Sequence, residues 1–431
     1  MILRLSTGAE RAAVAVIAAV SFLFLSFFGV RDALAAYFAS QDTVAGLSRA
    51  TRFEPGNPDN WYALGRFWQY NLLNSDSLNA VAAYQKALSL NPQFTDAWLE
   101  LAAAYESLGN VGEAGEAYRK AQQAYPLSAQ VAWSYGNFLL RQGDSPNAFR
   151  EIRRAVAADP HRGSEAFSRC VRVEPDVEKV LDQVIPPSRD VYLDIIDQLA
   201  HDDKTAEALH TWDRVVRLEP ELRLRSVWEL VGSLRRNHQI EEAVRVWKQA
   251  AAFAGFKDLG DPRGSVLWDG GFESGETALA YTWNFSPNYQ GVQLRVQSEE
   301  KHSGSRALRI TFDGRSNLSF RDVCHVFPVK PGTAYRFSAW VHSRDLSTDQ
   351  GVHFLLSAFG GVDAAPLATS DMLGSLAWQE IAAQWTAPAT ASEAQVCLER
   401  LPSDQPDNQI HGTLWVDDVA VVPVPSGKDS P

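Results

Sequence analysis

The sequence predicts a multidomain chain: one N-terminal transmembrane helix, an all-α helical-repeat solenoid, and then an all-β sandwich. Three observations carry this. Residues 12–30 are nineteen consecutive uncharged, mostly apolar residues. Pro92, Pro126 and Pro160 stand a constant 34 residues apart, a spacing typical of stacked helix pairs. From Ser265 onward, short alternating runs broken by Gly, Pro and Asp replace the helical pattern. At 431 residues the chain is too long for a single core, which is consistent with several domains.

The apolar run lies between Arg11 and Arg31. As a helix it extends roughly 28 Å, close to the thickness of the hydrocarbon layer. Arg4 and Arg11 favour a cytoplasmic stub over residues 1–11, a signal anchor over 12–30, and export of everything beyond. That places the chain in the inner (cytoplasmic) membrane, single-pass, with its bulk in the periplasm or outside. A cleaved signal peptide is the alternative, because Ala33-Leu34-Ala35 has the small-x-small form of a cleavage site. The run exceeds the usual signal core of about 7–15 residues, which favours the anchor.

Each of the three prolines closes a run with a small residue twelve positions earlier (Ala80, Ala114, Ala148) and another five positions earlier (Ala87, Ala121, Ala155). Between them lies a bulky residue: Tyr84, Tyr118 or Ile152. Small residues let two helices approach, the bulky one fills the crossing, and proline ends the second helix. The first full copy starts with Trp61, Leu64, Gly65 and Trp68 and carries three extra residues near 71–77, in the turn between its helices. The third starts with Ala132, Tyr135, Gly136 and Leu139. Thr43, Leu47, Ala50 and Pro55 form a leading half-repeat. Residues 161–187 interrupt the rhythm, and the path there is left open. The pattern returns with Ile195, Leu199, Ala208, Trp212, Val215 and Pro220, then with Leu230, Leu234, Ala243, Trp247 and Ala250. The array is expected over 36–256, followed by a linker at 257–264.

The second copy, with Trp98, Leu101, Ala102, Tyr105, Ala114, Tyr118, Ala121 and Pro126, resembles the tetratricopeptide repeat family at every position of the pattern. The resemblance implies a groove, built by the first helix of each pair, that holds a protein or peptide. By that resemblance Tyr62, Arg66, Tyr70, Trp133, Asn137 and Arg141 point into it. Aromatic residues and arginines are common anchors in interfaces. Partly buried packing is the alternative reading of these six.

Strands are expected at 293–297, 307–312, 323–329, 334–341, 351–358, 379–385, 393–398 and 413–422, within a domain spanning 265–425, ahead of a disordered tail at 426–431. Four motifs stand in order: Asp269-Gly270-Gly271-Phe272-Glu273, Ser303-Gly304-Ser305-Arg306-Ala307-Leu308, Val329-Lys330-Pro331-Gly332-Thr333-Ala334-Tyr335, and Trp415-Val416-Asp417-Asp418-Val419. Together they resemble carbohydrate-binding modules of the galactose-binding-like jelly-roll fold. That resemblance implies a structural calcium held by Glu273 and Asp417 with carbonyls of the Ser-Gly loop, since calcium takes about six to eight oxygens. Plain turn and edge carboxylates are the alternative. It also implies a glycan, for which the candidates are Trp283, Phe285, Tyr289, Asp313, Arg315, Asn317 and Trp378, in or beside predicted loops. Trp340, Trp385 and Trp415 lie on strand patterns and are assigned to the core.

The chain contains three cysteines, and none have metal-ligand spacing. Cys324 and Cys397 are expected as buried thiols rather than a disulfide, because sequence does not show the required geometry. A net charge of −12 speaks against nucleic acid as a partner. No nucleophile elbow, His-Glu-x-x-His or phosphate-binding loop is found, and carboxylate pairs such as Asp202-Asp203 read as solvated helix ends. The expectation is a non-catalytic membrane-anchored adaptor needing no cofactor beyond that calcium. Its array would bind a protein and its sandwich a polysaccharide, in bacterial exopolysaccharide or envelope assembly. The alternative is a purely protein–protein scaffold.

Overall fold

The computed structural model describes residues 7–72, 75–219, 221–256, 264–359 and 365–425. The expected tail at 426–431, most of the 257–264 linker, Pro220 and part of the 71–77 turn lie outside the described residues. The chain divides into two compact units, Met1–Val191 and Tyr192–Pro431.

In the first unit, α1 (Gly8–Ala39) has a stretch from Arg11 to Ala39 that contains an 18-residue window of mean hydropathy 2.5, long and apolar enough to cross a membrane or serve as a signal sequence. The helix does not stop at Arg31. Its last turns pack against α2 (Val44–Phe53): Ala35 is fully buried and Phe38 stacks on Phe53 at 5.5 Å. Gly46 permits the close turn, since a Cβ there would meet the Phe38 carbonyl oxygen at 2.6 Å. The leading half-repeat is therefore completed by the end of the apolar helix.

Three helix pairs follow: α3 (Pro58–Tyr70) with α4 (Ser77–Leu90), α5 (Thr95–Ser107) with α6 (Val111–Ala124), and α7 (Ala129–Arg141) with α8 (Ser145–Ala158). The six small residues read from the period are all fully buried. At Gly65 a Cβ would lie 2.5 Å from the Tyr84 ring, and at Gly136 one would lie 2.6 Å from the Ile152 side chain. The Trp61 and Trp98 indoles donate to the carbonyls of Pro55 and Pro92, at 3.0 and 2.9 Å. Each tryptophan thus fastens its helix to the proline turn before it.

Residues 161–187 fold as a shorter pair. A 3-10 turn at Pro160–Arg162 leads into α9 (Gly163–Val171), and α10 (Val177–Val184) follows. Arg153 of α8 donates to the carbonyls of Asp182 and Ile185, tying the short pair to the repeat before it. Cys170 is buried there, and burial pushes its thiol up to about 12.

Helices α11 (Arg189–His201) and α12 (Thr205–Val216) come next, then a 3-10 turn at Leu224–Val227 that runs into α13 (Trp228–Arg236), and finally α14 (Ile240–Phe253). The later helices share the second unit with the sandwich. Trp247 of α14 meets Trp268 and Tyr281 edge-on, with centroids at 5.5 and 5.9 Å. Arg235 of α13 donates twice to the buried Glu393 carboxylate, at 2.8 and 3.2 Å, and the Tyr281 hydroxyl adds a third bond at 3.0 Å.

The strands are β1 (Trp283–Asn284), β2 (Asn288–Tyr289), β3 (Val292–Gln297), β4 (Ala307–Asp313), β5 (Phe320–Pro328), β6 (Ala334–Ser347), β7 (His353–Ala358), β8 (Leu367–Ala368), β9 (Gly374–Thr386), β10 (Glu393–Arg400) and β11 (His411–Pro423). They form a five-stranded sheet, β1-β5-β10-β7-β8, and a six-stranded sheet, β2-β3-β4-β11-β6-β9, antiparallel throughout. From β4 on, the chain passes repeatedly from one sheet to the other, as a jelly roll does. The core between the sheets holds Phe272, Trp283, Phe312, Phe320, Phe337, Phe354 and Trp385 among others. Gly332 takes φ of 68° in the Pro331-Gly332 turn between β5 and β6.

Cys324 and Cys397 are joined in a disulfide, which corrects the expectation of two free thiols. The cause is strand register: β5 and β10 are neighbours, and these two residues stand directly opposite with Cα atoms 4.1 Å apart.

Candidate functional site

Alternation along β6 separates two sets of side chains. Phe337, Ala339 and Val341 point into the core, so Trp340, His342 and Arg344 line the outward face of the six-stranded sheet. Trp415 on β11 lies between the fully buried Leu414 and Val416 and faces outward likewise. Trp385 is in the core as expected, but Trp340 and Trp415 are not, because they occupy the opposite phase of their strands.

Register assembles these residues into rows across four strands. Arg295, Arg309, Trp415 and His342 stand in one row, and Gln293, Thr311, Thr413 and Arg344 in the next. Beside them the rings form a continuous run. His302 stacks on Trp340 at 3.8 Å with 10° between planes, and Trp378 lies 5.7 Å from both His302 and His342. His342 lies 4.8 Å from Trp415, over which Arg309 and Arg344 sit at 5.9 and 5.4 Å. Trp415 is only 5% exposed beneath that cover, whereas Trp340 and Trp378 are half-buried. The Trp378 indole donates to Glu300 at 3.3 Å, and His302 Nδ1 lies 2.6 Å from Asp418.

Of the seven residues predicted for a glycan, Trp378 joins this run. Trp283 does not lie on a loop surface: it is 2% exposed, stacked on Phe272, with its indole donating to the Asp269 carbonyl at 2.9 Å. Phe285 and Tyr289 are half-buried against the core. Asp313 and Arg315 are exposed at the end of β4, where the Arg315 amide donates to the Asp313 carboxylate. Asn317 pins a loop, donating to the Ser403 carbonyl and accepting from its amide. Sequence reading missed Trp340, His342, Arg344, Arg309 and Trp415. The signal was the i, i+2, i+4 spacing of Trp340, His342 and Arg344, out of phase with Phe337 and Val341.

An acidic corner adjoins the face. Glu273 accepts from the amides of Ser305 and Arg306 and from the Ser305 hydroxyl, while Asp417 accepts from the amides of His302, Ser303 and Asp418. Both side chains adjoin Gly271: Asp417 Oδ1 and Glu273 Cγ each lie 3.6 Å from where a Cβ would stand there. Burial pushes the Asp417 carboxyl up to about 6. Phe272 and Asp418 both take positive φ, 60° and 46°, which aims this corner at the Ser-Gly loop. Two carboxylates, serine hydroxyls and loop carbonyls are the hard oxygen donors that calcium takes, so the residues fit that ion in kind.

In the first unit, Tyr62, Arg66 and Tyr70 line a cavity of 410 Å³ together with Asp42, Phe67 and Asn71. Arg66 lies over both tyrosine rings, and the Tyr70 hydroxyl donates to Glu100 at 2.5 Å. Burial and Glu100 raise the Tyr70 hydroxyl above its ordinary value. Arg141 grips Glu106 with bonds of 2.8–3.1 Å, and the buried Tyr118 donates to the same carboxylate at 2.7 Å. Trp133 and Asn137 are buried packing residues, not groove surface. Arg162 and Arg169 each lie 5.2 Å from the Trp133 ring, and the Asn137 oxygen accepts from Arg169 at 2.9 Å.

The tetratricopeptide repeat family model matches residues 74–129. The general transcriptional corepressor ssn6 of Schizosaccharomyces pombe is 26% identical over 145 residues, 29% of this chain, and the chain spans 13% of that relative's length. Among solved structures, Pseudomonas aeruginosa pilF is similar at 21% identity, covering 47% of this chain and 95% of its own, with a TM-score of 0.26. The CBM22-1 xylan-binding domain of Paenibacillus barcinonensis is similar at 15% identity over 36% of this chain and 92% of its own, with a TM-score of 0.26. The enzymatically active domain of tailspike protein 4 from bacteriophage CBA120 is similar at 11% identity over 37% of this chain and 21% of its own, with a TM-score of 0.28. The expected helical-repeat array followed by an all-β two-sheet sandwich is borne out as a fold, with the tetratricopeptide repeat model matching within the array.

Proposed function

We propose that this chain is a non-catalytic, membrane-anchored extracytoplasmic adaptor that holds a protein partner along its helical array and a glycan on its sandwich. The observation that carries the reading is the run of rings Trp340, His302, Trp378, His342 and Trp415 on one outward sheet face. Sugars bind where ring faces meet polar side chains, and this face offers both. The cavity at Tyr62, Arg66 and Tyr70 is the partner site in the array. An uncleaved anchor fits the packing of α1, because Ala35 of the small-x-small site is buried against the first repeat, and cleavage there would strip α2 of its partner helix. Span, array and sandwich in one chain suit the assembly of exopolysaccharide or envelope in a bacterium, with the N-terminus in the cytoplasm.

Glu273 and Asp417 are the proposed holders of a structural calcium. Its test is thermal: adding a chelator lowers the melting temperature of the full chain, and calcium restores it, whereas identical melting curves in both buffers remove the ion from the account.

The glycan reading is tested by a glycan-array screen of the full chain in mild detergent, with calcium and with chelator. Binding to a polysaccharide class that is lost in Trp378→Ala, with melting unchanged, supports the face. No binding in either buffer leaves the protein-only scaffold. The scant exposure of Trp415, and the covering of one Trp340 face by His302, favour that second reading.

A further inference from the structure

Arg295 and Arg309 lie side by side on the ring-lined face, Arg344 stands across β11 in the next row, and all three are exposed. Among the described residues none of them makes an ion pair or a side-chain hydrogen bond. Arg295 and Arg309 are directly opposite on neighbouring strands, an arrangement in which like charges repel and which folding does not favour. The carboxylates nearby are engaged elsewhere. Glu380 pairs with Arg336, Asp418 with His302, and Glu300 accepts from Trp378. Two of the three guanidinium groups are held over the Trp415 ring, which fixes them in place and leaves their N–H forks free.

We infer that this face takes an acidic polysaccharide, with sugar rings along the half-exposed Trp340 and Trp378 and the carboxylates of uronic acid residues received by Arg309 and Arg344, which cover Trp415. The inference rests on the glycan reading above and narrows it to a charged class. A guanidinium fork matches a carboxylate in plane and in the spacing of its two donors. The rings supply the apolar faces that a bare cationic patch lacks. The chain as a whole carries −12, so a polyanion gains nothing from the overall charge and must be attracted locally.

The test is affinity electrophoresis of the full chain in native gels with mild detergent. The gels contain polygalacturonate, fully methyl-esterified pectin or xylan. Retardation by polygalacturonate is expected, falling about tenfold in apparent affinity for Arg309→Ala and for Arg344→Ala, as loss of one charge-assisted contact implies. Both arginines are exposed, so the variants keep the wild-type melting temperature. Trp378→Ala loses retardation too. If esterified pectin or xylan retards the chain as strongly and the arginine variants match wild type, the acidic class is overturned while the glycan reading stands. If no gel retards the chain, both fall. If single-stranded poly(dT) displaces polygalacturonate at equal charge, the attraction is ionic alone and the uronate assignment is overturned.

Discussion

Two sets of arginines in this protein have opposite fates. In the helical array Arg66 faces Glu100, Arg141 grips Glu106, and Arg154 bonds the buried Glu151 at 2.5 Å. Each of these three has a carboxylate on a neighbouring turn or helix. On the sandwich face Arg295, Arg309 and Arg344 have none among the described residues, although the chain carries more acids than bases. Paired cations explain themselves through the fold. Cations left unpaired beside a run of rings are not explained by the fold, and it is for these that a ligand is proposed. The same contrast applies to the aromatic residues: Trp61 and Trp98 lock proline turns, whereas Trp340 and Trp378 sit half-exposed on a flat sheet.

The largest expected effect concerns a paired cation in the second unit. Glu393 is 6% exposed and receives Arg235 and Tyr281 together. Glu393→Ala leaves a guanidinium and a phenol without their acceptor and should cost about 3–5 kcal/mol, as breaking a buried pair does. Urea unfolding followed by tryptophan fluorescence reads it. A loss under about 1 kcal/mol would mean that this pair is as dispensable as a surface one.

A pH effect comes next. Asp417 titrates near 6 in the folded chain, chiefly through burial, against an ordinary value of 3.8. The folded state therefore binds more protons than the unfolded state between those values. Its contribution to stability is fully present below pH 3.8 and is lost as pH rises through 6, by about 3 kcal/mol. The buried His325, depressed to about 4 by desolvation, works in the other direction over much of the same range. The clean readout is therefore the difference in melting temperature between wild type and Asp417→Asn, followed from pH 4.5 to pH 7.5. Wild type should gain on the variant as pH falls. Bound calcium would hold the carboxylate ionised, so adding calcium should flatten that trend.

A smaller effect is expected at Glu106. Glu106→Gln keeps an acceptor for the buried Tyr118 hydroxyl and loses the charge facing Arg141, which is itself about half exposed. Solvent screens that pair, so the loss should be under about 1 kcal/mol. A peptide partner seated in the groove would feel it more than the fold does, which separates structural pairing from recognition.

How much of this was legible in the sequence depends on the period of each signal. The helix pairs could be read because Pro92, Pro126 and Pro160 repeat a whole unit, and every small residue in register proved buried. The pair at 160–184 was not legible, since its helices are only nine and eight residues long and carry no copy of the pattern. The ring-lined face was not legible, because tryptophan on a strand pattern is as compatible with the core as with the outward face. Trp340 and Trp415 differ from Phe337 and Leu414 only in strand phase, and phase depends on which sheet face is covered. The disulfide depended on the pairing of β5 with β10, a contact between segments 73 residues apart that no local pattern announces.

The smallest expected effect is the sharpest test of the contrast between the two arginine sets. Arg295→Gln removes one of two like charges that stand opposite each other on β3 and β4. If these arginines serve the fold, the substitution should destabilise the sandwich, as loss of a packed aliphatic stem would. If they are kept for a ligand, relief of repulsion should leave stability unchanged or raise it by about 0.2–0.5 kcal/mol. Melting at low and high salt separates the two cases, because repulsion between exposed charges fades once the screening length drops to about 3 Å at 1 M. A gain for Arg295→Gln that disappears at high salt marks the arginine row as a feature the fold tolerates rather than requires. A loss at both salt concentrations would return Arg295 to the structural set, beside Arg66 and Arg141.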